Sequence, residues 1–325
     1  MSVDFHMNPN ETIFLETAQT FIQSGLRDAG YNFLNSDDGW LSPNRSATGA
    51  LVAMPAQFPS GLSALTQKLH ALGFHFGIYG CASETTCGSR AGSLYREAKD
   101  AQQYASWGVS YLKFDDCGEM NLASYAKFSV MRDAIARTGR PMVYSFEPYT
   151  GGLQTPWLGS VGNSWRTGPD ARPHYSSVIG NAFVNNMAAS LAGPGHFNDA
   201  DMLEIGNGDI TLAEARTQFS LWCLMKSPLL IGADMQTIAM PFLQIMKNKE
   251  LIAGTSAYTQ STAGAIVAVR VMPLIWCVLE SEHPFKLKML RFQLIRTMRG
   301  SRGRSGRPLP TWTVIHVAEC RQRPR

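Results

Sequence analysis

One short unit recurs through the first half of this chain: a helix-patterned stretch, a glycine, and a brief apolar run that ends in polar side chains. The runs occupy 30–38, 73–79, 108–115 and 139–147, opening on Gly30, Gly73, Gly108 and Gly139. Glycine suits the left-handed position that ends a helix, so each unit reads helix, cap, strand. The helical half is plainest before Gly73, where Leu62, Leu65, Leu69 and Leu72 fall on one face. Further strand patterns lie at 162–166, 196–203 and 229–233, and helical patterns at 174–191, 211–226 and 236–249. Such alternation predicts a parallel sheet, and a doubly wound sheet would give a similar string. The polar residues decide between the two. Asp37, Asp38, Tyr79, Lys113, Asp115, Glu147, Arg166, Asp170 and Asp201 all fall at or beyond strand C-terminal ends, which in a barrel converge on one face. The expected fold is therefore an α/β chain forming a (β/α)8 TIM barrel over residues 1–255.

After about residue 255 the pattern stops, and 298–307 is an Arg/Gly/Ser run with the composition of disorder. We expect 256–325 to be an irregular basic tail. That tail distorts the overall charge of +4, because 283–325 holds 11 of the 29 Lys and Arg but a single acid, Glu319. The remainder carries 18 basic against 24 acidic residues, and an acidic body argues against a nucleic-acid partner. No apolar run is long enough to span a membrane, and 1–19 lacks the basic start and apolar core of a signal peptide. The six cysteines show no CxxC spacing, so no zinc site is expected, nor any other metal or cofactor.

Lys113-Phe114-Asp115-Asp116-Cys117 closes the apolar run 109–112 and sets ionisable groups at the end of a buried strand. Such groups are costly to bury unless they are paired or do chemistry. Asp170 supplies a second carboxylate just past the 162–166 strand. Two carboxylates are the minimum for acid/base cleavage of a glycosidic bond, and a retaining site needs them about 5 to 5.5 Å apart, one ionised and one protonated. Lys113, two residues before Asp115, shares its strand face and is expected to hold it ionised. Arg166 either binds a substrate hydroxyl or lowers the pKa of Asp170. Tyr79 fits the core as well as a site, and Glu147, before Pro148, fits a loop acid as well as a ligand.

Several ordered motifs resemble one family. They are Asn35-Ser36-Asp37-Asp38-Gly39-Trp40, Phe58-Pro59-Ser60-Gly61, Gly77-Ile78-Tyr79, Trp107-Gly108-Val109-Ser110-Tyr111-Leu112-Lys113-Phe114-Asp115-Asp116-Cys117, Trp165-Arg166 with Asp170, Asn198-Asp199-Ala200-Asp201-Met202-Leu203 and Lys226-Ser227-Pro228-Leu229-Leu230-Ile231-Gly232. In family order across about 5–255, they resemble glycoside hydrolase family 27, the melibiase-type α-galactosidases. The resemblance implies a retaining exo-glycosidase that releases terminal α-D-galactose from an α-galactoside substrate, with Asp115 as nucleophile and Asp170 as acid and base. It implies that Asp37 and Asp38 accept the galactose 4- and 6-hydroxyls, with Tyr79, Lys113, Glu147, Arg166 and Asp201 completing the sugar shell. It also implies a Cys87–Cys117 disulfide beside the nucleophile and a secreted protein.

The chain departs from the family in three places. The first strand, where the family carries a sugar-stacking Trp, is largely missing: Met1-Ser2-Val3-Asp4-Phe5 stands there, with Ser2 at the Trp position. A second family disulfide is absent at both ends, with Gly39 and Met7 in place of its cysteines. Residues 271–325 do not resemble the β-sandwich that follows the family's barrel. We therefore expect a chain shortened at its start and altered at its end relative to the family. Two other readings compete: a Mg²⁺ barrel using Asp115, Glu147 and Asp199, and a non-catalytic remnant that binds sugar or is unstable.

Overall fold

In the computed structural model the described residues are 2–3, 8–118, 122–148 and 155–256. The tail expected from 256 on is outside them apart from its first residue, as are Met7 and residues 4–5. The described residues all belong to the first of the chain's two units, Met1–Trp276.

Seven strands run parallel in chain order, β1 (Ser2–Val3), β2 (Phe33–Ser36), β3 (His75–Cys81), β4 (Tyr111–Asp115), β5 (Val143–Phe146), β6 (Ser164–Arg166) and β7 (Phe197–Asp199). Ile231 adds a parallel bridge to Leu203 in the eighth position. Helices α1 (Glu11–Ser24), α2 (Leu62–Ala71), α3 (Glu97–Ser106), α4 (Ser124–Thr138), α5 (Leu158–Val161), α6 (Tyr175–Met187) and α7 (Leu212–Met225) follow successive strands, and α8 (Met240–Met246) and α9 (Lys249–Ser256) come last. This is a partial (β/α)8 barrel. The expected short first strand is present as two residues, pairing Ser2 with Asn35 and Val3 with Ser36.

The helix, cap, strand unit is borne out: Gly30, Gly73, Gly108 and Gly139 all have left-handed φ, between 70° and 111°. One detail differs. Gly25 caps α1, and Gly30 instead closes a 3-10 turn, Arg27–Ala29, inserted before β2. On α2, Leu62, Leu65 and Leu69 are buried as the spacing predicts. Alternate strand residues Phe76, Ile78, Leu112 and Phe114 are fully buried in the apolar core, which leaves Tyr79, Lys113 and Asp115 on the opposite strand face. Gly77 is required by the neighbouring strand, since a Cβ there would overlap the Asn35 side-chain amide.

Three boundaries depart from the sequence pattern. The run 196–203 is not one strand: β7 stops at Asp199, because Asp201 takes a left-handed conformation at φ 74°. The run 229–233 is reduced to the Ile231 bridge. The helix expected at 236–249 is shorter, with α9 starting separately at Lys249.

Candidate active site

The strand ends do gather their charges. Register aligns Tyr79 with Lys113 and Lys113 with Ser145, then Cys81 with Asp115. Lys113 Nζ pairs with Asp37 at 2.9 Å and with Glu147 at 3.9 Å. Arg166 pairs with Glu147 at 3.3 Å, Asp170 at 2.9 Å and Asp201 at 3.1 Å. A cavity at this end is lined by Asp37, Lys113, Glu147, Arg166, Asp199 and Asp201 among others. A larger cleft of about 330 Å³ opens at the other end of the strands, where Arg132, Met142, Asn163 and His196 line it. It contains no carboxylate, and barrel chemistry sits at strand C-terminal ends, so the smaller cavity is the candidate site.

Asp115 is buried at the end of β4. Its Oδ2 accepts from the Tyr79 hydroxyl at 2.9 Å, and its Oδ1 accepts from the Asp116 N–H at 2.7 Å. Burial pushes its pKa up, while Lys113, the Asp116 N–H and Tyr79 act in the other direction. Lys113 thus favours the ionised form of Asp115, but burial has the larger effect, and the lysine makes its ion pairs with Asp37 and Glu147. Burial also works against the charge on Lys113 itself, but Asp37, Glu147 and Asp115 outweigh it and keep its pKa well above the ordinary value. Burial pushes Glu147 up to about 7 despite Arg166 and Lys113.

The Cys87–Cys117 disulfide is present, and Cys81 and Cys223 are buried free thiols. Cys87 Sγ lies 3.6 Å from Asp115 Oδ2, and the Tyr79 hydroxyl lies 3.4 Å from Cys117 Sγ. Tyr79 is thus both core and site. Asp38 has its two oxygens engaged by backbone, accepting from the N–H groups of Gly39 and Gly88, each at 2.7 Å. The loop next to Cys87 is thereby tied to the end of β2. Trp40 fixes the same turn, donating from Nε1 to Tyr79 O at 2.9 Å. Asp170 is the outlier, with a side chain 69% exposed at the rim.

Two features escaped the sequence reading. Asp199, considered there only as a metal ligand, is buried, lines the cavity and has its pKa pushed up to about 6, chiefly by burial. Its position in the strand-end pattern was a usable signal. The second is a buried ion pair between Asp116 and Lys127 on α4, with Ser83 Oγ donating to Asp116; nothing in the local sequence joins residues 11 apart in this way. The trio Asp115, Glu147 and Asp199 does not bring its carboxylates within reach of one ion. Among the described residues the one close group of potential ligands is Cys87, Asp115 and Cys117, and two of those are spent in the disulfide. No helix among the described residues is long and apolar enough to cross a membrane.

Comparison with known proteins shows the family. The family described as Alpha galactosidase A matches residues 3–256. The chain is 45% identical over 251 residues to Alpha-galactosidase 3 of Arabidopsis thaliana, covering 77% of this chain and 57% of that protein. Among solved structures, α-galactosidase I from Mortierella vinacea superposes with a TM-score of 0.74 at 33% identity, covering 78% of this chain and 71% of that one. An α-galactosidase from Saccharomyces cerevisiae, solved with raffinose, gives 0.73 at 32% identity, covering 78% and 62%. The chain thus spans less than two thirds of the Arabidopsis protein. With the match extending over most of the chain, this protein belongs to the melibiase-type α-galactosidases of glycoside hydrolase family 27.

Proposed function

We propose that this chain hydrolyses terminal α-D-galactose from galactosides by double displacement. The observation that carries the reading is a pair of carboxylates in different environments at and beyond the C-terminal ends of β4 and β6, Asp115 buried and hydrogen-bonded, Asp170 exposed at the rim and paired with Arg166. A retaining mechanism needs that division of labour. Asp115 attacks the anomeric carbon as the C1–O bond breaks, and Asp170 gives its proton to the departing oxygen. Water then attacks the glycosyl ester of Asp115, loses its proton to Asp170, and galactose leaves with its configuration retained.

Asp115 must be ionised to attack. The Asp116 N–H, the Tyr79 hydroxyl and the Lys113 charge favour that form against the cost of burial. Asp37, Lys113, Glu147, Arg166 and Asp201 offer the sugar hydroxyls both acceptors and donors, and Tyr79 braces the nucleophile. Asp38 contributes through lone pairs not used by Gly39 and Gly88. The yeast relative solved with raffinose supports a galactoside as the ligand class. Family resemblance supports secretion.

The test is release of p-nitrophenol from p-nitrophenyl α-D-galactopyranoside near pH 5, with EDTA in parallel. Turnover that survives EDTA and falls by about three orders of magnitude or more in Asp115→Asn is the expected result. Folded wild type that leaves the galactoside intact would refute the reading.

A further inference from the structure

Asp170 is exposed, so packing around its side chain does not aim it. The peptide groups on either side of it are held instead. The Pro169 carbonyl accepts from Asn181 Nδ2 at 3.0 Å, and the Ala171 N–H donates to Asp201 Oδ2 at 2.6 Å.

Both holding groups are themselves fixed. Asn181 lies on α6 and is 2% exposed; the same Nδ2 also donates to Ala200 O at 3.3 Å. One amide thus ties the loop carrying Asp170 to the loop after β7. The fit is close, because a Cβ on Gly168 would come within 3.0 Å of Asn181 Oδ1. Asp201 is 6% exposed and paired with Arg166. Its left-handed backbone is secured from both ends, the N–H donating to Asp199 Oδ1 at 2.8 Å and the carbonyl accepting from Trp222 Nε1 at 2.7 Å.

We propose that Asn181 is a positioning residue for Asp170, forming with Asp201 a two-sided clamp on the peptides that flank the acid/base carboxylate. Asn181 reaches no reacting atom; it acts through the Pro169 carbonyl. The assignment rests on the galactosidase reading for what Asp170 does, while the clamp itself is a statement about backbone restraint. A displacement of about 1 Å at a catalytic group can cost about 100-fold in rate, so a restraint on this loop has consequences for proton transfer and few for an attack that needs none.

That asymmetry supplies the experiment. Asn181→Leu removes the amide while keeping its branched shape, and the smaller Asn181→Ala leaves room for water to bond the two carbonyls, so the second variant serves if the first does not fold. kcat/KM is measured on phenyl α-D-galactoside, whose leaving group needs a proton, and on 2,4-dinitrophenyl α-D-galactoside, whose leaving group does not. The expected result is a loss of about tenfold or more on the phenyl substrate and less than about twofold on the dinitrophenyl one. Equal losses on both, or none on either, would overturn the assignment. Amide hydrogen exchange of the peptide containing Ala171 is followed in the same samples by mass spectrometry. Faster exchange in the variants supports the clamp, and unchanged exchange refutes it, whether or not the protein turns over. Wild type that hydrolyses neither substrate would remove the galactosidase reading and with it the role in proton transfer.

Discussion

Lys113 illustrates what a single residue in this site does through charge. It pairs with Asp37 and Glu147 and still lowers the pKa of Asp115, against burial that raises it. If Asp115 is the nucleophile, kcat/KM must fall on the acid side as it takes up a proton, with a midpoint above the ordinary aspartate value of about 3.9. Lys113→Met removes a lowering influence, so that midpoint should move further up; a pH profile on an activated galactoside reads it. A midpoint that stayed put would show that the lysine serves only its ion pairs. The shared strand face of Lys113 and Asp115 was legible because it needs nothing beyond the two-residue strand period. The partners of Lys113 were not, since Asp37 and Glu147 lie just past the ends of β2 and β5 and become neighbours only through the sheet register. Asp38 shows the converse: its type and place suggested a sugar ligand, but each of its oxygens also accepts a backbone N–H, one from the adjacent Gly39 and one from Gly88 in the loop after β3.

Among the elements, the helix and strand units were readable because each carries its own punctuation, and the turns after the strands were not. The end of β7 is the clearest case. Alternation would keep Asp199 and Asp201 on one face of a single strand, whereas the left-handed backbone at Asp201 turns its carboxylate toward Arg166 and Ala171. Asp and Asn enter that region more readily than other side chains, a signal too weak to place a strand end alone. The loop after β3 depends on the disulfide that joins it to the end of β4, with a sequence separation of 30. Removing both cysteines, as Cys87→Ala with Cys117→Ala, should cost about 3 kcal/mol through loop entropy in the unfolded chain. Urea denaturation measures that. The Gly88 N–H should also let go of Asp38, so KM should rise even where the variant is fully folded.

For the molecule as a whole, the site sets how stability responds to pH. Burial raises the pKa of Glu147 to about 7 and of Asp199 to about 6. Groups with raised folded-state values stabilise most below their unfolded pKa, near 4, and that contribution is lost as pH climbs through 6 to 7. Glu11 works the other way: Lys68 and Ser60 outweigh its burial and hold its pKa down, so its share is lost as pH falls below about 4.5. The melting temperature should therefore peak in mildly acidic solution and drop by several degrees toward pH 8, a loss of a few kcal/mol in all. Asp199→Asn should flatten that decline, and thermal melts from pH 4 to 8 decide it. The parallel order was legible from alternation and the barrel from the polar strand ends, while the reduction of the eighth position to a single bridge was not, because the run 229–233 carries the same apolar pattern as a full strand.

Among the described residues the strand ends hold Asp37, Asp38, Asp115, Glu147, Asp170, Asp199 and Asp201 beside Lys113 and Arg166. This end of the described barrel is thus an acidic bowl in which Lys113 and Arg166 are both engaged in ion pairs. A neutral sugar enters such a field without being drawn in or pushed out, so its rate of capture should hardly change when salt is added. A galactoside bearing sulfate or a uronic acid next to the scissile bond would be repelled, and salt would ease its entry. The charges gathered around Asp115 should therefore also filter which sugars can approach it.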